Sequence, residues 1–301
     1  MRKFFSKKVR HRIVATAACL QNFIRQLCTN YIIFTPKKIN MRWTIALIIF
    51  HFSFINLSAQ EVTEPKSTFH IKLGGGFGFQ SVRDDAMSPL LYDGIQGALQ
   101  LSGEWRRSQG IYQVDGLFWL GETAAQSGRI TENYTFAINS SYLHRLSQKE
   151  ASWQWRVGGA VTSWGSFREH LSLINSDFFY ELFFSIGPTA MAERQFRFLK
   201  RDWLLNWQVI VPALSYGIRP NYSGLEVAPP DENGFQGWED AQLGSFNILQ
   251  NIKSQVELAY PLKNGNRIGL LYYWDFFKAE LAPHSVKQAM QSLQFNLHFK
   301  F

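Results

Sequence analysis

The sequence predicts an all-β fold: an antiparallel transmembrane β-barrel of about ten strands, with twelve as the alternative, preceded by a cleaved signal peptide. Three observations predict it. Apolar residues recur at every second position through most of the chain. An export-type leader precedes them. The region after that leader contains no cysteine, so its stability must come from something other than disulfides, and the hydrogen-bonded ladders of a closed barrel supply it.

The leader reads MRWTIALIIFHFSFINLSAQ from Met41: a basic start at Arg42, an apolar stretch over 43–57, then Ser58 and Ala59. This is the layout of a signal peptide, with cleavage expected after Ala59 and Gln60 as the new terminus. The stretch contains His51 and Asn56 and is shorter than the ~20 apolar residues a membrane-spanning helix needs, so a retained anchor is the weaker reading. Residues 1–40 read as an upstream extension from a mis-assigned start, because a signal peptide with so long a basic region ahead of it would be unusual. The division is therefore 1–40 extension, 41–59 signal and 60–301 barrel.

That division changes what the charge means. Residues 1–59 hold ten of the 31 Lys and Arg and none of the 23 Asp and Glu, leaving 21 basic against 23 acidic residues in the remainder. The net charge of +8 belongs to the leader, and nucleic acid is not an expected partner. Both cysteines, Cys19 and Cys28, also lie in the leader, which excludes thiol chemistry from the folded part.

Ten alternating segments follow, at about 68–79, 94–106, 111–121, 133–145, 152–164, 177–188, 202–216, 246–261, 266–278 and 289–301, each near the length of a tilted membrane strand. The last is the clearest. Leu293, Phe295, Leu297, Phe299 and Phe301 form one face and Ser292, Gln294, Asn296, His298 and Lys300 the other. Connections alternate short (107–110, 146–151, 262–265) and long (80–93, 122–132, 165–176, 217–245, 279–288). One, 191–201, is too long for a tight turn unless the flanking strands extend into it; otherwise it and 217–245 could hide another hairpin. An even strand count returns both termini to one side, the periplasm.

Aromatic residues gather at predicted strand ends: Trp105, Trp153, Trp203, Tyr260, Phe299 and Phe301 at one, Phe79, Phe118, Tyr134, Trp274 and Phe276 at the other, as two interfacial girdles would require. Pro188 and Pro212 each delete a ladder hydrogen bond and belong at strand ends or bulges. A lipocalin-like soluble barrel would alternate too, with its apolar face inward; the export signal and aromatic ends favour the outward orientation.

The terminal QSLQFNLHFKF, with Phe295, Leu297, Phe299 and Phe301, resembles the C-terminal β-signal of Gram-negative outer-membrane barrels, and SAQ before the mature terminus resembles Bacteroidota signals. The resemblance implies insertion by the barrel-assembly machinery and residence among outer-membrane lipids.

With the apolar face in lipid, Lys72, Glu104, Asp115, Arg156, Glu181, Lys253, Glu257 and Asp275 point into the lumen, where both signs would pair as a structural network. Gly74, Gly75 and Gly76 read as a bend or room for a large neighbour. No metal-ligand spacing, phosphate loop or nucleophile motif is present, and no cofactor is expected. Two pairings bear on catalysis. His170 with Ser172 resembles the spacing of lipid A deacylases, and Asp84–Asp85 the acidic pairs of omptin proteases; each lacks the partners its chemistry needs. The loop 217–245 holds Glu226, Asp231, Glu232, Glu239 and Asp240 with Phe235 and Trp238, a composition able to meet a partner whose identity the residues do not specify. The function expected is a structural or surface-interaction role, with a hydrolase and a narrow solute channel as alternatives.

Overall fold

The computed structural model describes residues 67–147, 151–170, 178–219, 241–281 and 284–301. The leader, Ser172 and most of the 217–245 loop lie outside the described residues. The strands are β1 Thr68–Asp84, β2 Ser88–Arg106, β3 Gly110–Ala125, β4 Ile130–Arg145, β5 Gln154–His170, β6 Phe178–Phe198, β7 Arg201–Ile210, β8 Leu214–Ile218, β9 Gln242–Gly244, β10 Leu249–Pro261, β11 Arg267–Leu281 and β12 His284–Lys300. All pairings are antiparallel, and β5 pairs β6 to close the sheet on itself.

The wall has ten staves, as the alternation predicts, with β8 and β9 as the upper pieces of two interrupted ones. The seventh stave is β7 continued by β8: both pair with β6, at Thr189↔Ile210 and Ile186↔Leu214. Between them runs Val211-Pro212-Ala213. Pro212 offers no N–H, while Val211 N still donates to Pro188 O (3.1 Å) and Ala213 N to Ile186 O (2.9 Å). The eighth stave is β10 continued by β9. Its ladder with the seventh stops at Ile210↔Lys253 and resumes at Ser215↔Gly244, so a four-residue excess bulges at Ser245–Ile248. Ser245 Oγ spans the bulge to Ala213 O (2.6 Å).

The registers fix the barrel's shape. From Phe77, one path runs through Gly97, Leu120 and Tyr134 to Phe167; the other runs through Leu293, Tyr272, Val256, Trp207 and Ala192 to Trp155 on the same stave. The arrival points differ by 12 residues, the shear of the barrel. Ten staves with that shear tilt by about 40° and close at a diameter of roughly 20 Å between backbones, so side chains from opposite walls meet.

Outward residues are apolar: Phe77 (68% exposed), Ile95 (72%), Leu99, Ile138, Trp155, Ile186, Trp207 and Phe295 among them. On β1 this face runs from Phe69 to Phe79, about 33 Å of strand, which the tilt projects to about 25 Å, the height of an outer-membrane apolar band. Beyond it the outward positions turn polar at Asp93, Glu122, Glu132, Glu169 and Gln291.

Strands extend further than the periodicity predicts. β1 and β2 are joined by three residues, 85–87, and β6 and β7 by Leu199 and Lys200 alone, both at positive φ (50° and 60°), a tight hairpin turn that accounts for the long 191–201 connection.

Candidate functional site in the barrel lumen

Inward positions, read from the end holding the termini (the base) to the other (the crown), change character along each stave. On β5 they run Arg156, Ala160, Thr162, Trp164, Ser166, Arg168, His170; on β11, Arg267, Leu271, Tyr273, Asp275, Phe277, Ala279, Leu281. The lumen is therefore layered: an ionic base, a polar and then aromatic middle, and a crown that is ionic on the β5 side and apolar on the β11 side.

At the base, Arg106 joins Glu104 in a two-pronged pair and reaches Glu193 at 2.6 Å, and Glu193 also takes Arg156. Nearby, Glu257 accepts hydrogen bonds from Asn296 (2.9 Å) and His298 (2.8 Å), with Lys72 at 3.9 Å. Gly74 makes this possible, since the Asn296 side chain occupies the space a Cβ there would fill. Above Gly74, Gly76 brings the β1 backbone against Leu293 O of β12, a close approach of strands with no phosphate-type loop involved. His70, Lys72, Glu104, Gln113, Asn206 and Glu257 enclose a cavity of about 20 Å³, enough for a water. Outside it, at the base mouth, lies a recess of about 490 Å³ flanked by His70, Asp202, Arg267 and Lys300.

Higher up, Lys253 lies 3.4 Å from Asp275, which also accepts from Asn251 (2.6 Å) and Tyr273 (3.3 Å). Asp115 accepts from Gln113 at 2.7 Å. Then the lumen turns apolar. Trp164 stacks on Phe277 (centroids 4.3 Å), Phe183 meets Phe277 edge-on (5.2 Å), and Trp119 packs on Tyr273 (5.2 Å), with Leu117, Ala137 and Met290 filling between.

At the crown Arg168 donates to Asp84 (2.7 Å) and to both oxygens of Glu181 (2.6 Å each), while Asp84 also takes Arg219, beyond β8. Arg168, Asp84 and Glu181 have no measurable exposure. His170 Nε2 lies 2.9 Å from the Tyr92 hydroxyl. Asp85, one residue after Asp84, faces outward to Arg83 (3.1 Å) and Ser285 (2.6 Å). Both bonds hold its carboxyl below the usual range, that from Ser285 most.

The eight sequence-predicted lumen residues thus all face inward, but they do not meet one another as a single set. Lys72 finds Glu257 and Lys253 finds Asp275; Glu104, Arg156 and Glu181 find Arg106, Glu193 and Arg168, which sequence reasoning missed. Period two could have found them: Arg168 shares the parity of Arg156, and Glu193 that of Glu181, once β5 and β6 are carried past residues 164 and 188. Asp84 and Asp85 point to opposite sides and form no pair. A carboxylate held by two guanidiniums is a poor base, because both cations oppose its protonation. Among the described residues no group of His, Cys, Asp and Glu could hold a metal ion.

No family model matches the chain, and no curated protein sequence does. Among solved structures, the outer membrane protease OmpT from Escherichia coli matches with a TM-score of 0.51 and 6% identity, over 80% of this chain and 99% of that one. The translocator domain of the autotransporter NalP from Neisseria meningitidis matches at 0.39 and 6%, over 86% and 98%. The P. putida toluene transporter TodX matches at 0.30 and 8%, over 79% and 90%. At such identities the likeness to OmpT speaks to the fold alone. The chain has the fold of Gram-negative outer-membrane β-barrels.

Proposed function

We propose that this chain is an integral outer-membrane protein with a sealed barrel, exported by the 41–59 signal, and that its role is structural or surface-interacting and carried by the crown loops. The observation that carries this reading is the pairing of a ~25 Å outward apolar band with a filled lumen. A soluble protein would leave that band in water, far beyond the patch size soluble surfaces tolerate. A solute channel would need a path past the Trp164–Phe277 stack and the crown ion pairs.

In this reading the termini and base face the periplasm, the C-terminal strand serves the barrel-assembly machinery, and the acidic 217–245 loop is the surface most suited to a partner. The SAQ leader resemblance supports a Bacteroidota-type host. The test has two parts. Purified protein folded into detergent micelles should migrate differently on a gel with and without boiling, and planar bilayers containing it should show no unitary conductance. Absence of the mobility shift with folding in plain buffer would replace the membrane reading, and steady conductance would replace the sealed-barrel one.

A further inference from the structure

Below the girdle at the base, β6 and β7 run on as a two-stranded ribbon. The β5–β6 ladder ends at Gln154↔Glu193 and the β7–β10 ladder at Ala259↔Leu204, yet β6–β7 pairing continues to Phe198↔Arg201. Arg194–Phe198 and Arg201–Trp203 therefore have a partner on one edge only. A bare two-stranded ribbon is marginal in water. This one is tethered by its outward side chains: the Arg194 guanidinium lies over the Trp153 ring (5.4 Å), Arg201 lies over Tyr260 (5.5 Å) and donates to its hydroxyl at 2.5 Å, and Trp203 packs on Tyr260 (5.4 Å).

Alternation divides the ribbon's faces. Arg194, Phe196, Phe198, Arg201 and Trp203 point outward, with no carboxylate among them; Gln195, Arg197 and Asp202 point toward the barrel axis. Its tip is Leu199-Lys200, with Leu199 76% exposed and held at a positive φ that Asn-Gly would adopt with less strain. Two arginines stacked on aromatics at the girdle match an interface where rings sit at headgroup depth and guanidiniums meet phosphate.

We infer that the outward face of this ribbon is a binding site for anionic phospholipid headgroups of the leaflet at the base, with Arg194 and Arg201, each held against a girdle ring, taking the phosphate. The inference rests on the membrane reading above. Its test uses the full chain, expressed in a Gram-negative host and extracted from the membrane fraction in mild detergent, with the lipids it retains read by native mass spectrometry after exposure to equal amounts of phosphatidylglycerol and phosphatidylcholine. The wild type should retain phosphatidylglycerol about 25-fold over phosphatidylcholine. Arg194→Gln with Arg201→Gln should abolish that preference, at about fivefold per arginine, whereas Arg197→Gln with Lys200→Gln removes the same charge and should keep it. Equal retention of the two lipids by the wild type, equal loss in both double variants, or displacement of phosphatidylglycerol by a soluble polyglutamate peptide would overturn the site. The boiling-dependent gel shift of the same samples separates the two readings: its absence in the wild type defeats membrane residence itself, and its presence without lipid preference defeats only the ribbon site.

Discussion

The crown and the base of the lumen are built from the same chemistry, guanidinium against carboxylate, in different surroundings. At the crown Asp84, Arg168 and Glu181 are wholly enclosed above the aromatic layer. At the base Glu104 lines a water-sized cavity, Arg106 joins it to Glu193, and the Glu104 and Arg106 side chains keep 15% and 18% exposure. Coulomb attraction is stronger where the medium is drier, and so is the penalty for leaving a charge alone there. The crown network should therefore act as a lock with little tolerance, and the base network as one that water can repair.

The largest effect should come from Arg168→Met. It leaves two buried carboxylates with one guanidinium between them, and should lower unfolding free energy in lipid vesicles by about 3–5 kcal/mol, read from the urea midpoint. A loss under about 1 kcal/mol would mean the crown is wet, and the contrast with the base would disappear. Phe277→Ala comes next. It removes the ring shared by Trp164 and Phe183, at about 3 kcal/mol for the transfer and cavity terms together. Its planar-bilayer conductance should stay nil, because the ion pairs above and below remain. Glu257→Gln is smaller. The amide can still accept from Asn296 or His298, and the adjoining cavity lets water serve Lys72, so about 1–2 kcal/mol is expected. A base substitution costing as much as Arg168→Met would show that exposure does not separate the two networks.

Much of the wall is legible in the sequence, because lipid on one side and a narrow lumen on the other impose period two on every stave. The ten staves lie where alternation places them, and Pro188 and Pro212 meet at the one break in the seventh. Three features escape that reading for physical reasons. Strand ends beyond the apolar band lose the outward hydrophobic signal, so alternation ends β5 and β6 short of Arg168 and Glu193. Three of the inward aromatics hide in doublets, Phe118-Trp119, Phe183-Phe184 and Phe276-Phe277, where adjacent rings must face opposite sides although both read as lipid-facing. Ion-pair choice depends on shear. Arg219 reaches Asp84 across 135 positions of chain, a separation that no local spacing encodes.

The smallest predicted effect sharpens the comparison most, because it uses neighbours in sequence. Asp84 and Asp85 are identical side chains one residue apart, turned by the strand's alternation into the dry crown and out to its rim. Asp85 is held ionised by Ser285 and Arg83, with its folded pKa below the unfolded value of about 3.9. Its contribution is therefore present above pH ~4 and fades as pH falls through the folded value. Because the carboxylate is about one-third exposed to solvent (35%), screening limits that contribution to a few tenths of a kcal/mol. Asp85→Asn should thus leave the urea midpoint nearly unchanged at pH 7 and slightly flatten its decline below about pH 4. Asp84→Asn strips a carboxylate from two buried guanidiniums and should cost several kcal/mol at pH 7. Comparable midpoints for the two variants at neutral pH would show that strand parity does not set the environment of the crown acids.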